Sequence, residues 1–341
     1  VHLWMNTKRG DVYRLGFLDQ DAVETINMGN RDTYAEIKHG TITLNGSTGN
    51  DTVRVGSQND PDGDPNATLN LGAGNNTVTV YAGQAKITTG AGSDNIKVLL
   101  DQAQVHAFTG QGNDHVETLA GDDVVHTGAG NDTVSTGAGS DIITNISGND
   151  QIYSGHGQDR VTSYSGNTLV DDRGDAKDQN IALLDDIIIT GFGDDTVHAG
   201  DGQDVVVTDL PGSIYYGSDH LIGMTGDDIL FGGRGADTFV FRAGDGNDTI
   251  GAIDMDAVSS AKEIKDIEFI ASDFMSGVDT VQLQFDTHFV GAQLSDVIAE
   301  NTDWFWLETE GGITLSTSDG SLHFWGLTGN QLSDTDFEFI G

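Results

Sequence analysis

A nine-residue period governs residues 109–162. Six consecutive copies read TGQGNDHVE, TLAGDDVVH, TGAGNDTVS, TGAGSDIIT, NISGNDQIY and SGHGQDRVT. In every copy the fourth place is glycine, the sixth is aspartate and the eighth is aliphatic. A fixed period of this kind predicts a repeat architecture, in which each repeat packs against its neighbours along one axis.

Each nonamer has the composition of a turn followed by a short strand. Glycine accommodates positive φ and close backbone approach, so the first six residues are expected to form a tight turn. In the remaining three, a central side chain such as Val134 should point inward, while Thr133 and Ser135 point outward. Two nonamers then make one coil of 18 residues, and stacked coils place parallel strands about 4.8 Å apart.

Stacked coils bring the sixth-place aspartates together in two columns. Turns 18 residues apart lie above one another, so each edge of the structure carries carboxylates and turn carbonyls. One edge is predicted to hold Asp114, Asp132 and Asp150, and the other Asp123, Asp141 and Asp159. Calcium takes 6–8 oxygen ligands at roughly 2.3–2.6 Å, so an ion can bridge two stacked turns. Magnesium prefers a tighter octahedron, and zinc prefers His or Cys ligands that the columns lack.

The pattern resembles the glycine- and aspartate-rich nonapeptide of RTX (repeats-in-toxin) proteins, G-G-x-G-x-D-x-U-x. In the six copies the first glycine is replaced by Thr, Asn or Ser. The resemblance covers residues 46–341 and is strongest at 109–250. It implies an all-β fold, a parallel β-roll with two repeats per coil and a mostly β C-terminal cap, with several Ca²⁺ ions as cofactors.

The repeat extends toward the N-terminus with changes at the sixth place. A first nonamer, GSTGNDTVR, begins at residue 46, and a polar insertion at 56–66 contains the Asp60-Pro61 and Asp64-Pro65 bonds. From residue 67 the register resumes, but alternate sixth places hold Ala85 and Ala103. We therefore expect calcium on only one edge of these coils.

Toward the C-terminus the pattern fades after residue 159 and returns 27 residues later, which indicates that the coil continues in register. A second interruption covers 207–217. The fullest match to the consensus, GGRGAD, lies at 232–237. The predicted calcium ligands are the sixth-place residues Asp51, Asn76, Asp94, Asp114, Asp123, Asp132, Asp141, Asp150, Asp159, Asp186, Asp195, Asp204, Asp219, Asp228, Asp237 and Asp248.

Three segments follow from this pattern: N-terminal strands or a cap at 1–45, the roll at 46–250, and a capping and secretion-signal region at 251–341. GDVYRLGFL and HGTITLNG alternate as strands do. In the last segment AKEIKDIEF and LSDVIAE are helix candidates, and DTVQLQF, DWFWLET, GGITLST and GSLHFWGL are expected to be antiparallel strands. Inward aromatic residues are expected where the roll meets this cap, at Phe231, Phe239 and Phe241, and in the cap core, at Trp304, Phe305, Trp306, Phe324 and Trp325.

Composition narrows the class of partner. The chain has 54 acidic and 15 basic residues, a net charge of −39, so nucleic-acid phosphates would be repelled. The alternative is that the acidic residues only keep the protein soluble. Their regular spacing along the chain argues against this, because solubility does not require periodic positions. The chain has no cysteine and so cannot form disulfides, which leaves bound calcium as the candidate for holding the coils together. We see neither a signal-peptide pattern nor an apolar run of ~18 residues, and we expect the chain to be a fragment of a longer protein.

No catalytic motif is found: there is no H-E-x-x-H, no G-x-S-x-G and no Walker loop. His115, His126 and His198 fall at outward places and are read as surface residues. The acid pairs at 122–123 and 194–195 recur at a turn position, which favours metal ligation over a hydrolase dyad. Cleavage at the two Asp-Pro bonds remains an open alternative.

These observations favour a calcium-binding RTX region of a secreted bacterial protein, disordered without Ca²⁺ and folding from the C-terminal cap after export. The final stretch, LTGNQLSDTDFEFIG, resembles the C-termini read by type I ABC exporters, which implies a secreted or cell-surface location. Two alternatives stay open. One is a surface adhesin or surface-layer module that binds glycans or itself, and the other is the non-catalytic tail of a secreted hydrolase or lyase.

Overall fold

The computed structural model describes residues 2–6, 11–16, 23–46, 48–57, 65–81, 83–99, 104–171, 185–208, 217–253, 269–271, 274–275, 278–285, 293–300, 303–309, 311–318 and 320–340. The chain divides into two compact units, Val1–His156 and Gly157–Gly341. The Asp60-Pro61 bond, Ala103 and most of the interruption at 207–217 lie outside the described residues.

The first unit contains two sheets whose strands alternate along the chain. One sheet holds His2–Asn6, Asp11–Gly16, Thr33–Ile37, Thr52–Val55, Thr77–Val80, Asn95–Val98, His115–Glu117, Thr133–Ala138 and Gln151–His156. The other holds Val23–Asn27, Thr41–Asn45, Asn66–Asn70, Gln84–Ala91, Val105–Gln111, Val124–Ala129 and Ile142–Ser147. Neighbouring strands pair in parallel, except the first two of the first sheet, which are antiparallel. The parallel β-roll predicted from the nonamer is confirmed.

Residues one coil apart lie side by side in these sheets. Val116 is aligned with Val134, and Val134 with Ile152, in one sheet; Val125 is aligned with Ile143 in the other. All five side chains are at most 1% exposed. Their flanking residues are more exposed, so the eighth place forms the core and its neighbours face outward, as predicted.

The strands that precede residue 46 are also part of the two sheets. GDVYRLGFL contributes Asp11–Gly16, which pairs in parallel with Thr33–Ile37. HGTITLNG contributes Thr41–Asn45, which pairs in parallel with Val23–Asn27. Both segments are strands, as their alternation predicts. The coil geometry therefore begins earlier in the sequence than the aspartate pattern.

The second unit repeats this arrangement. One sheet is wholly parallel and holds Leu169–Asp171, Thr196–Asp201, His220–Thr225, Thr238–Arg242, Thr280–Gln284 and Phe337–Phe339. The other begins with the parallel strands Arg160–Thr162, Ile187–Gly191, Val205–Thr208, Ile229–Phe231 and Gly246–Ile250. It continues with Gly320–Trp325, Gly312–Thr317 and Phe305–Thr309, and a separate antiparallel pair joins Ala252–Ile253 to Phe269–Ala271.

The C-terminal cap is partly as expected. LSDVIAE is the α-helix Leu294–Glu300, and short 3₁₀ helices lie at Gly329–Gln331 and Asp334–Asp336. AKEIKDIEF falls almost entirely outside the described residues. No helix among the described residues has both the length and the apolar character needed to cross a membrane.

Three cap strands are antiparallel to a neighbour, as predicted: Phe305–Thr309, Gly312–Thr317 and Gly320–Trp325. The expectation for DTVQLQF is wrong. Its strand, Thr280–Gln284, lies in parallel between Thr238–Arg242 and Phe337–Phe339. An alternating pattern indicates which residues face the core but carries no information on strand direction.

Aromatic residues fill the end of the roll, as expected. Phe239 and Phe241 are 1% exposed, and Trp304 and Phe324 are also buried. Phe305 was expected in the core, but it is 48% exposed. Successive strand residues point to opposite faces, so Phe305 faces outward when its neighbour Trp304 faces inward.

Candidate metal sites

The first unit contains a continuous column of sixth-place side chains. In each case the main-chain N–H of one residue donates to Oδ1 of the next residue in the column, at 2.7–3.0 Å. Every member is at most 2% exposed. In order, the column holds Asp51, Asn76, Asp94, Asp114, Asp132 and Asp150. The stacking predicted from the spacing is therefore confirmed for this edge.

The opposite edge of the first unit has a shorter column. The N–H of Val105 donates to Oδ1 of Asp123, and the N–H of Asp123 donates to Oδ1 of Asp141, each at 2.8 Å. One coil earlier, Val105 is aligned with Ala85, which is buried. The prediction of Ala103 at the sixth place of this coil is therefore wrong, because Val105 stands there. The acidic column on this edge thus begins where the sequence first places an aspartate.

The second unit carries two further columns built in the same way. One holds Asp159, Asp186, Asp204, Asp228 and Asp248. The other begins at Thr168, whose N–H donates to Asp195 at 2.7 Å, and continues through Asp219, Asp237 and Asp279. The step from residue 159 to residue 186 confirms that the register survives the degenerate stretch.

Asp279 was missed by the sequence reasoning. It is 4% exposed, and its Oδ1 accepts the N–H of Asp237 at 3.1 Å. Its local sequence, GVDTV, matches the second half of a nonamer, and this was the available signal. The separation of 42 residues is not a multiple of nine, so the periodicity did not reveal it.

Glycine at the fourth place allows these turns to stack. Gly112, Gly130 and Gly148 have φ values of 129°, 141° and 140°, a region that side chains rarely adopt. A Cβ on Gly130 would lie 1.8 Å from the carbonyl oxygen of Gly112. The absence of a side chain at this place therefore lets the turn backbones of adjacent coils pack in direct contact.

Most column carboxylates use one oxygen for the ladder and leave the other buried. Oδ2 has no hydrogen-bond donor in Asp51, Asp94, Asp114, Asp123, Asp132, Asp150, Asp219, Asp228 and Asp248. A buried, unpartnered anionic oxygen is unfavourable, and a hard cation with oxygen ligands would satisfy it. The donor set therefore fits calcium.

Backbone oxygens must complete any such ion site. Within the described parts of the chain, no group of three or more His, Cys, Asp or Glu side chains is placed to share one ion. Calcium needs 6–8 oxygens, and turn carbonyls are the remaining source. The sixteen sequence-predicted residues stand in the columns, and their role as ligands remains a prediction.

Burial makes the ionised form of these carboxyls unfavourable. It raises the pKa of Asp123 and of Asp132 to about 6, and that of Asp219 to about 8. Burial, with the neighbouring Asp204, raises the pKa of Asp228 well above its usual range. A bound cation would reverse this penalty because it favours the deprotonated ligand.

A second ladder runs beside each column at the fifth place of the nonamer. The N–H of Asn131 donates to Oδ1 of Asn113 at 2.9 Å, and the N–H of Asn149 donates to Oδ1 of Asn131 at 3.0 Å. These side chains are exposed and point toward the following coil. The sixth-place side chains point toward the preceding coil. In one turn, therefore, the fifth-place side chain accepts an N–H from the following coil and the sixth-place side chain accepts one from the preceding coil.

The first place of the nonamer also has a structural role that sequence reasoning missed. The hydroxyl of Thr109 donates to the carbonyl oxygen of Thr127 at 2.9 Å, and Thr136 bonds Ser154 in the same way at 2.7 Å. These threonines are fully buried. Threonine at this place thus adds an internal ladder, and the departure from the consensus glycine has a physical reason.

Comparison with known families agrees with this geometry. A family model described as the RTX calcium-binding nonapeptide repeat, in four copies, matches residues 43–60, 108–143, 147–170, 184–210 and 215–250. No curated protein matches the chain. The matched segments contain most of the aspartates of the four columns and pass over 61–107. The chain therefore belongs to the RTX family of proteins with calcium-binding nonapeptide repeats.

Proposed function

We propose that this chain is a calcium-switched folding region: disordered without Ca²⁺, exported unfolded by a type I ABC exporter, and folded on Ca²⁺ binding outside the cell. This role would place it in the secreted or cell-surface fraction. The proposal gives the chain a binding role and no reaction of its own.

The observation that carries the proposal is the set of buried column carboxylates whose Oδ2 has no donor. Folding without a cation would bury these groups against one another in a chain of net charge −39. Because the sites exist only in the folded state, the free energy of ion binding adds directly to the free energy of folding.

The expected calcium affinity would make folding depend on whether the chain is inside or outside the cell. Extracellular calcium modules have Kd values of roughly 10⁻⁴–10⁻³ M. Sites of this strength are empty at cytoplasmic calcium and filled outside the cell. The chain would therefore remain unfolded while it is threaded through an exporter.

The C-terminal tail supports export before folding. Phe337 and Phe339 are buried, and their strand pairs in parallel with Thr280–Gln284. Asp336 is fully buried as well. An exporter that reads this tail needs the unfolded chain, because the folded cap covers these side chains.

Circular dichroism during a calcium titration tests the proposal. In a calcium-free buffer we expect the spectrum of a disordered chain, and at millimolar Ca²⁺ a β spectrum. Magnesium at the same concentration serves as the control for charge screening and should not produce the transition. A chain with the same β spectrum in chelator and in calcium would refute the switch.

A second candidate is a self-assembling surface module, and the strand Phe305–Thr309 favours it. Within the described part of the chain this strand pairs on one side only, with Gly312–Thr317. Phe305 and Leu307 on it are 48% and 52% exposed. An exposed apolar edge strand is suited to pairing with another copy.

Sedimentation velocity in calcium distinguishes this candidate. Leu307→Lys should abolish any concentration-dependent association of the folded protein. Leu99→Lys, a change at another exposed leucine, is the matched control. A monomeric wild-type protein at high concentration would exclude self-assembly through this edge.

A further inference from the structure

Asn76 differs from the other members of its column in what its side chain does. Its Oδ1 accepts the N–H of Asp51 at 3.0 Å, as an aspartate would. Its Nδ2 lies within 3.0–3.4 Å of four oxygens. Two are carbonyls of its own turn, at Gly72 and Gly74, and the other two belong to the next coil, namely the carbonyl of Thr89 and Oδ1 of Asp94.

This contact set fixes the orientation of the amide. With the amide reversed, Oδ1 would face four oxygen atoms and the N–H of Asp51 would face a donor. The observed orientation satisfies both ends of the side chain, which is 1% exposed. The amide nitrogen thus bridges two stacked turns from inside a group of oxygens.

Aspartates of the same column lack this arrangement. Asp114 occupies the equivalent place, with Gly110 and Gly112 in its own turn and Thr127 and Asp132 on the next coil. Its Oδ2 is buried without a donor. Aspartate and asparagine have nearly the same shape, so the difference is an N–H donor in one and an anionic oxygen in the other.

We propose that the Asn76 amide takes the place of a calcium ion between the turns at 72–76 and 89–94. The two N–H groups supply to the four oxygens the positive charge density that an ion supplies elsewhere. This layer of the roll is therefore calcium-independent. The inference rests on calcium binding by the rest of the column, as proposed above.

Two other features of the same coils agree with this assignment. On the opposite edge the sixth place is the buried Ala85, so no carboxylate there needs a cation. The RTX repeat model passes over 61–107, the segment that contains both residues. Asn76 and Ala85 thus place no anionic oxygen of their own in this layer, and the segment does not conform to the calcium-binding repeat.

Reciprocal substitutions in the 341-residue chain test the proposal by ion counting and by the calcium concentration at the folding midpoint. Asn76→Asp should bind one more calcium than wild type in isothermal titration calorimetry, and its folding midpoint in a calcium titration should lie at a higher calcium concentration. Asn75→Asp is the control, because it makes the same chemical change at the exposed adjacent residue, whose Oδ1 accepts the N–H of Ser93. The control should leave the ion count unchanged.

Asp114→Asn is the reverse change and remains informative if Asn76→Asp does not fold. It should bind one ion fewer than wild type, and its folding midpoint in a calcium titration should lie at a lower calcium concentration than that of wild type. Asp122→Asn removes a charge at the exposed fifth place and is its control, because that Oδ1 bonds only the N–H of Ser140 in the neighbouring coil. The control should keep the wild-type ion count.

The outcomes separate this inference from the proposed function. If wild-type protein binds no calcium, the proposed function fails. If wild type binds calcium, an unchanged ion count in folded Asn76→Asp overturns the inference alone. A folding midpoint of Asp114→Asn at a calcium concentration no lower than that of wild type overturns it as well.

Discussion

The main-chain nitrogen of Asp114 donates to Oδ1 of Asp132, 18 residues later, at 2.8 Å. The same carboxylate leaves Oδ2 buried without a donor. One side chain therefore both closes the backbone ladder between two coils and presents an anionic oxygen for a cation. Coil stacking and ion binding depend on the same residue.

Asp132→Ala removes both contributions. We expect the calcium-saturated protein to lose one bound ion, and the N–H of Asp114 to lose its acceptor, at a cost of about 1–3 kcal/mol in unfolding free energy. Calcium titrations followed by calorimetry and by urea unfolding measure both quantities. Ser135→Ala, on the outward side of the next strand, should change neither. An ion count equal to wild type in Asp132→Ala would contradict the role of this carboxylate.

The pH dependence follows from the raised pKa values of the buried carboxyls. In the calcium-free fold burial raises the pKa of Asp123 and Asp132 to about 6 and of Asp219 to about 8, above the unfolded value of about 3.9. A raised folded pKa means that the calcium-free fold binds more protons than the unfolded chain, so its stability falls as pH rises from about 4 to 8.

We therefore expect decalcified protein to have more β structure at pH 5 than at pH 8. Calcium affinity should change in the opposite direction, because ligation requires the deprotonated carboxylate. Circular dichroism and calcium titrations at a series of pH values measure both. A calcium-free β content that rises between pH 5 and pH 8 would contradict this account.

Met224 holds a backbone conformation that normally requires glycine. Its φ is 74°, the only positive φ at a non-glycine residue in the described chain, and it is aligned with Gly200 of the preceding coil. Left-handed backbone costs a side chain about 1–2 kcal/mol, and glycine carries an entropic cost of roughly 0.5–1 kcal/mol.

We expect Met224→Gly to stabilise the calcium-bound protein by about 1 kcal/mol, from the difference between these costs. Thermal or urea unfolding measures the change. Met275→Gly, at a 53% exposed methionine without positive φ, should not stabilise the protein. A lower stability in Met224→Gly than in wild type would exclude relief of strain at this position.

Asp279→Ala tests the column member that periodicity did not reveal. Its carboxylate accepts the N–H of Asp237 at 3.1 Å and that of Met275 at 2.6 Å. Loss of two acceptors should lower the unfolding free energy by about 2 kcal/mol or more. Asp303→Ala, at an exposed aspartate of the cap, is the control. Equal stabilities of the two variants would show that Asp279 does not hold the end of the roll.

The columns were predictable because the chain repeats its geometry every nine residues. Fixed spacing alone placed Asp114 above Asp132, and it carried the register from residue 159 to residue 186. Periodicity failed where the same geometry is reached after an irregular segment, as at Asp279. It also failed for strand direction at Thr280–Gln284, because parallel and antiparallel strands have the same alternation.

The chemistry of individual places was harder to predict than their position. Asn76 and Asp94 both offer an oxygen at the sixth place, and only the contacts of Nδ2 reveal that Asn76 also acts as a donor. The buried hydroxyl of Thr109 was similarly unexpected, since its acceptor lies 18 residues away. These roles depend on the other coil, which a single nonamer does not contain.

Each column has a polarity that sets how it can begin. The residues at three column starts, Thr33, Val105 and Thr168, donate an N–H to the first aspartate but contribute no carboxylate themselves. Each column is therefore vectorial, because every link runs from the N–H of one coil to the carboxylate of the coil that follows it.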